Sequence, residues 1–309
     1  MRRALKPLSW VVGLAGLVAV VLYYEPGRLP ALFGAVGITG VAGWVVATIA
    51  ARIALAETTT APLRALGHPM SRTVAFWVGW LRTFANQVFP AAGVVAYVQA
   101  LRRKTDISWS ELAALAAPQF VLAAAAIGGV GLCAVVLNLA GMGEAGPVLL
   151  LAYGLVLVAA WVTARGAHSI VRFLPATIAA KVAATSQALH KLARRPGLLL
   201  WIVACHVLAI LSRGLRLWLL FELAGVSLDW QHAFLLVAIA ESSILLQLTP
   251  GGLGIREGAV IAGAILVGAP AEVAAGVAVV DRLLVIAITA LLTPPAMAAM
   301  RSDRPPAND

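Results

Sequence analysis

The sequence predicts an all-α polytopic membrane protein with about six transmembrane helices and two re-entrant helical hairpins of opposite orientation. Three observations carry that reading. The 309-residue chain is 61% hydrophobic and only 12% charged, and its mean hydropathy is +0.94. A soluble domain is nearer half apolar and a quarter charged, so lipid is the solvent that this composition fits. Apolar runs of bilayer-spanning length recur along the chain, and two of the apolar segments are interrupted near their middles by residues that a continuous helix tolerates poorly.

The spanning runs are 8–24, 30–51, 110–140, 146–164, 198–221 and 271–298, each near or above the ~20 residues that an oily core of about 30 Å requires. Arg2, Arg3 and Lys6 ahead of the first run resemble a secretory signal, but Glu25-Pro26-Gly27-Arg28 follows in place of a small-residue cleavage site. The run therefore reads as a retained first helix with its N-terminus in the cytoplasm.

Segment 232–268 contains 37 residues. As one helix it would be about 55 Å long, and as two full spans it is too short. Its centre, Thr249-Pro250-Gly251-Gly252-Leu253-Gly254, breaks a helix, so two half-helices meeting inside the membrane fit best. Segment 73–101 has Asn86 and Pro90 near its middle, and here charge decides. The loop before it is read as containing Arg52, Arg64 and Arg72, and the loop after it Arg102, Arg103 and Lys104. A single crossing would put one basic cluster outside, against the positive-inside bias; a hairpin that returns keeps both in the cytoplasm.

The same rule puts Glu25, Glu144, Glu222, Asp229 and Glu272 outside and the basic loop 165–197 inside. Residues 1–300 then form a single transmembrane domain, with 301–309 as a short cytoplasmic tail. Hairpins entering from opposite sides are what an inverted repeat around a midplane site would show. Eight crossings is the alternative count. Within the basic loop, Ile178, Val182, Leu189 and Leu192 fall near one helical face, as in an interfacial amphipathic helix.

The net charge of +10 has a topological meaning, and it also favours anionic lipid head groups. Nucleic acid is not an expected partner, because the basic residues are scattered between apolar spans. Cys133 and Cys205 both lie in apolar runs, with no disulfide framework or zinc spacing. No metal-ligand cluster, phosphate-binding loop, Asp-rich metal–diphosphate motif or nucleophile triad is apparent. An enzyme is therefore not expected, and neither is a cofactor.

The strongest chemical signal is Pro250 to Gly258, with Gly251, Gly252 and Gly254 ahead of Arg256 and Glu257. A half-helix starting near Ile255 points its positive end into the membrane, where its free N–H groups suit an anion. Arg256 adds a cation there, and Glu257 either caps the first turn or pairs with an arginine. A purely structural break is the competing reading, but charges at membrane depth are costly to keep. The other hairpin offers Arg82, Asn86 and Gln87, with Pro90 suited to the first turn of its second limb. Two half-helix N-termini would then face each other, and Asn86 is as readily a satisfied core amide.

In run 198–221, His206, Arg213 and Arg216 share one side of a helix; Arg213 reads as inward-facing and Arg216 as snorkelling outward. Glu241, Asp281 and Arg282 also need partners inside the membrane. A structural salt-bridge network accounts for these charges about as well as a substrate path does. The lipid head-group candidates are thus Arg82, Asn86, Arg213, Gly251, Gly252, Gly254, Arg256, Glu257 and Arg282, with Glu241 and Asp281 as charge partners.

Pro250 to Glu257, the following apolar limb, the Gly268-Ala269-Pro270 turn and Arg282 resemble the lysylphosphatidylglycerol synthase transmembrane-region family, also described as flippase-like. Arg213, Arg216 and Leu223-Ala224-Gly225-Val226 extend the resemblance, and Asn86 and Pro90 continue it more faintly. In the family's antibiotic-resistance member a similar block moves aminoacylated phosphatidylglycerol between leaflets, while a soluble domain makes that lipid. The stretch to Asp309 has no counterpart of the soluble domain, so aminoacyl transfer is not implied. The family often has Gly-Glu after the first hairpin's proline, where this chain has Gly93-Val94.

The resemblance implies an inner-membrane lipid translocator whose partners are membrane lipids, anionic ones above all. Its substrate would be a phosphate-bearing phospholipid, polyprenyl-phosphate or glycolipid. A lipid-binding scaffold for a lipid, glycolipid or hopanoid pathway enzyme is the alternative, and a membrane lipid transferase a further one.

Overall fold

The computed structural model describes residues 29–88, 92–105, 107, 109–171, 194–246 and 249–302. The expected first span 8–24, Pro90, the amphipathic stretch 178–192 and the tail after 302 lie outside the described residues. Nine α-helices are present among the described residues: α1 (Leu29–Ala65), α2 (Arg72–Val88), α3 (Ala92–Lys104), α4 (Trp109–Asn138), α5 (Ala145–Val171), α6 (Pro196–Leu223), α7 (Trp230–Ser242), α8 (Ile255–Leu266) and α9 (Ala271–Ser302). Five of them, α1, α4, α5, α6 and α9, are long and apolar enough to cross a bilayer. They correspond to the five expected spans after the first, and the chain is a multi-pass membrane protein.

Small residues let the spanning helices approach closely. α1 and α6 run antiparallel, with Gly40 against Leu223 and a Cβ on Gly43 only 3.0 Å from Leu219. α4 and α5 do the same, with Gly131 under the Tyr153 ring and Gly128 against Leu157. The outer faces are apolar at helical spacing: Val148, Leu151, Leu155 and Val158 on α5, and Leu208, Leu211 and Leu215 on α6, are all exposed. In lipid such a stripe is the solvated face.

The two ends of the bundle differ in charge. Met70, Leu101, Ile107 and Leu112 pack together at one end, against Met300. The same end has Arg64, Arg72, Arg102, Arg103, Lys104, Arg194, Arg195 and Arg301 at helix termini and connections. At the other end the connections hold Glu144, Glu222, Asp229 and Glu272, with no Lys or Arg among their described residues. These are the basic end and the acidic end.

Helices α2 and α3 form a hairpin rooted at the basic end, where Glu57 of α1 pairs with Arg72. Helices α7 and α8 form a second hairpin rooted at the acidic end, where Asn138 Nδ2 donates to the Gln231 carbonyl at 3.0 Å. Both are tightly folded back: Gly93 packs on Asn86 and Arg82, and a Cβ on Gly263 would lie 3.0 Å from Leu236. The hairpins therefore enter the bundle from opposite ends, and their tips meet. A Cβ on Gly251, in the second break, would sit 3.5 Å from Gln87 Cγ, in the last turn of α2. Among the described residues the tips touch through the end of α2; Pro90, at which the sequence would start the facing half-helix, lies outside them.

Asn86 closes the first tip. Its Oδ1 accepts the Gly93 N–H at 2.9 Å, satisfying one of the donors at the start of α3. A side chain at residue 93 would collide with Asn86 Oδ1 and the Arg82 carbonyl. Gly93→Ala is therefore expected to destabilise the protein by about 1–3 kcal/mol through overpacking, and Asn86→Ala by about 1 kcal/mol through the lost hydrogen bond. Thermal unfolding of the purified protein checks both.

One element is longer than the sequence suggests. Arg52 and Arg64 do not lie in a loop before the first hairpin, because α1 continues to Ala65. Residues 52–61 contain neither Gly nor Pro, so nothing local stops the helix. Arg52 consequently sits inside the bundle, with its guanidinium 4.8 Å from the Trp80 ring centroid.

Candidate functional site

The break in the second hairpin is shaped by three glycines with positive φ, Gly251 at 57°, Gly252 at 73° and Gly254 at 78°. Side chains at such angles are strained, so the run turns the chain within a few residues. The Thr249 hydroxyl donates to the Leu253 carbonyl at 2.8 Å and closes the turn. Gly254 then caps α8, and the carboxylate of Glu257 accepts the Gly254 N–H at 2.7 Å.

A buried charge cluster surrounds this break. Arg213 of α6 pairs with Glu241 of α7 at 2.5 Å. Arg216 pairs with Asp281 of α9 at 2.8 Å, and a second nitrogen reaches the other carboxylate oxygen at 3.2 Å. Arg256 lies between the two acids, 3.5 Å from Asp281 and 3.8 Å from Glu241. Arg282 donates to the Gly251 carbonyl at 2.9 Å and lies 3.6 Å from Glu257. Four helices and the glycine turn thus meet through four arginines and three carboxylates.

The structure reverses one expectation. Arg216 does not snorkel outward; it is 4% exposed. Its guanidinium stacks 5.0 Å from the Trp44 ring centroid, and it reaches the Thr48 hydroxyl at 3.4 Å. Trp44 in turn donates its indole N–H to Asp281 at 2.9 Å. Depth along the helix is a poor guide here. Arg213 and Arg216 share one side of α6, and that side faces the carboxylates of α7 and α9.

Of the candidate residues, Arg213, Gly251, Gly254, Arg256, Glu257, Arg282, Glu241 and Asp281 are linked by these contacts. Gly252 belongs to the turn but touches none of the charged groups; a Cβ placed on it would meet only Arg256 Cβ, at 4.0 Å. Asn86 closes the first hairpin. Arg82 stands apart, with its guanidinium 5.2 Å from the Tyr97 ring centroid. Trp44, Thr48 and Arg52 are not among the residues that the sequence singles out for the site, although a tryptophan and an arginine on one apolar run are visible signals.

A cavity of about 20 Å³ opens among Arg256, Glu257, Asp281 and Arg282, with Val260, Ala278 and Val285 as its apolar walls. That is room for a water molecule, not for a lipid head group. Arg256 Nη2 and Arg282 Nε are buried without a hydrogen-bond partner in good geometry. Donors left open in this way suit an oxyanion, which offers several acceptor atoms at once. Among the described residues no group of three His, Cys, Asp or Glu side chains could hold a metal ion.

The fold and this site define a polytopic membrane protein in which two inverted hairpins close on an intramembrane charge cluster. Residues 8–292 match the family described as Lysylphosphatidylglycerol synthase TM region, and the chain belongs to that family. Membership gives it a lipid-related role in the membrane. Comparison with curated proteins and with solved structures finds no match.

Proposed function

We propose that the protein is a flippase-like translocator that moves a phosphate-bearing lipid between leaflets without chemically altering it. The observation that carries this reading is the meeting of two inverted hairpins at an arginine-rich cluster with open donors. Intramembrane charges on this scale are costly and mark substrate pathways, and paired inverted elements around a midplane site are the architecture of alternating access. The cavity is too small for a head group, so the hairpins or their surrounding spans would have to part, toward one leaflet and then the other. The charge asymmetry supports a cytoplasmic basic end in an inner membrane, with both termini cytoplasmic and anionic lipids as partners.

Reconstitution in vesicles with a fluorescent anionic phospholipid tests this. Wild-type protein is expected to equilibrate the probe between leaflets, and Arg256→Ala to slow it by about tenfold, the equivalent of one charge-assisted hydrogen bond. An unchanged rate in Arg256→Ala would remove the site. A second reading, a lipid-binding scaffold for a pathway enzyme, is favoured by the small volume of the cavity, about 20 Å³. A wild-type protein that co-purifies with lipid and an enzyme, but moves no probe, would establish it.

A further inference from the structure

Outside the central cluster, two arginines stacked on aromatic rings, Arg52 within the bundle and Arg82 at its exposed edge, have no carboxylate. Arg52 lies on α1 over the Trp80 ring, and Arg82 on α2 over the Tyr97 ring. Neither has an acidic partner among the described residues. Trp80 and Arg82 are two residues apart on α2, and Tyr97, which backs Arg82, meets the Thr59 hydroxyl of α1 at 3.0 Å, about two turns from Arg52. Arg52 and Arg82 thus share the contact of α1, α2 and α3 without a carboxylate to neutralise them.

A buried donor beside Arg52 is unused: the Trp80 indole N–H has no hydrogen-bond partner, and Trp80 is only 1% exposed. Leaving such donors open is costly unless something accepts from them. Stacking on aromatic faces steadies the two guanidiniums but does not neutralise them. A bound anion would do so, and would accept from the open donor.

We propose that Arg52 and Arg82, backed by Trp80 and Tyr97, form a second anion seat, set toward the basic end from the Arg256–Asp281 cluster, that takes the phosphate group of a lipid. In transport this seat would hold the head group on the cytoplasmic side of the hairpin tips. That role rests on the translocation reading, whereas the binding itself does not. Arg82 is exposed, so the seat has an open side.

The test is isothermal titration of the purified full chain in detergent with dioctanoyl phosphatidic acid, with dioctanoylglycerol as the phosphate-free control. The wild type should bind the phosphatidic acid at least about tenfold more tightly than the control. Arg52→Gln combined with Arg82→Gln should weaken phosphatidic acid binding by about tenfold, and Arg52→Lys with Arg82→Lys should keep most of it. Inorganic phosphate that competes equally well assigns the seat to free phosphate, and phosphate that fails to compete assigns it to the lipid-borne group; either result supports an anion seat.

Removing two unpaired charges should leave the melting temperature unchanged or raise it. A double Gln variant that binds like the wild type, or a wild type without preference for the phosphate, overturns the seat. A wild type that binds as expected but moves no lipid in vesicles overturns translocation and leaves the seat standing.

Discussion

Asp281→Ala is expected to destabilise the protein by about 3–5 kcal/mol, the usual cost of leaving a buried charge without its partner. Asp281 is 3% exposed. It accepts from Trp44 at 2.9 Å, pairs with Arg216 at 2.8 Å and faces Arg256 at 3.5 Å. Its removal uncovers two cations in an apolar bundle and leaves the Trp44 N–H open. Thermal unfolding in detergent should show the loss, in severe form as aggregation on extraction. Adding Arg216→Met to Asp281→Ala should recover part of it, because the largest uncompensated charge goes with its partner. Equal stability of Asp281→Ala and wild type would mean that the cluster does not hold α1, α6 and α9 together.

Gly251→Ala is expected to reduce lipid movement by about tenfold or more while costing about 1–2 kcal/mol of stability for a side chain in the left-handed region. Gly252→Ala is the control. Both residues have positive φ, 57° and 73°, so both changes carry the backbone penalty. Only Gly251 has a charged neighbour in the way: its Cβ would lie 2.9 Å from Arg282 Nη2, pressing on the group that donates to its own carbonyl. Vesicle assays on both variants separate the displacement of Arg282 from the stiffening of the turn. Equal rates would show that the clamp between Arg282 and Gly251 has no part in transport.

Much of this arrangement is legible in the residues, for specific reasons. The second hairpin follows from a mostly apolar segment of 37 residues broken by a glycine-rich turn, which leaves few other foldings in a bilayer. The first follows from basic residues on both flanks, a constraint that acts on topology and needs no knowledge of packing. Arg52 is misplaced by the sequence because an arginine after an apolar run usually marks the membrane edge. Here the Trp80 face receives it, and only tertiary structure brings that ring alongside. Arg216 misleads for a related reason: its partners Asp281 and Thr48 are far away in the chain. Which cation meets which acid is a property of helix faces in contact, and the spacing along one helix does not contain it.

The carboxylate of Glu257 gives the second hairpin an occupant of its own. Helix α8 offers its N-terminal N–H groups toward the charge cluster, and the acid three residues in already accepts the Gly254 N–H at 2.7 Å. Any oxyanion arriving there must exchange with a tethered rival that never diffuses away. Such a rival weakens capture, but it hastens departure equally, because the tethered acid refills the position as the guest leaves. In the proposed translocation, such an internal competitor would keep the seat from becoming a trap.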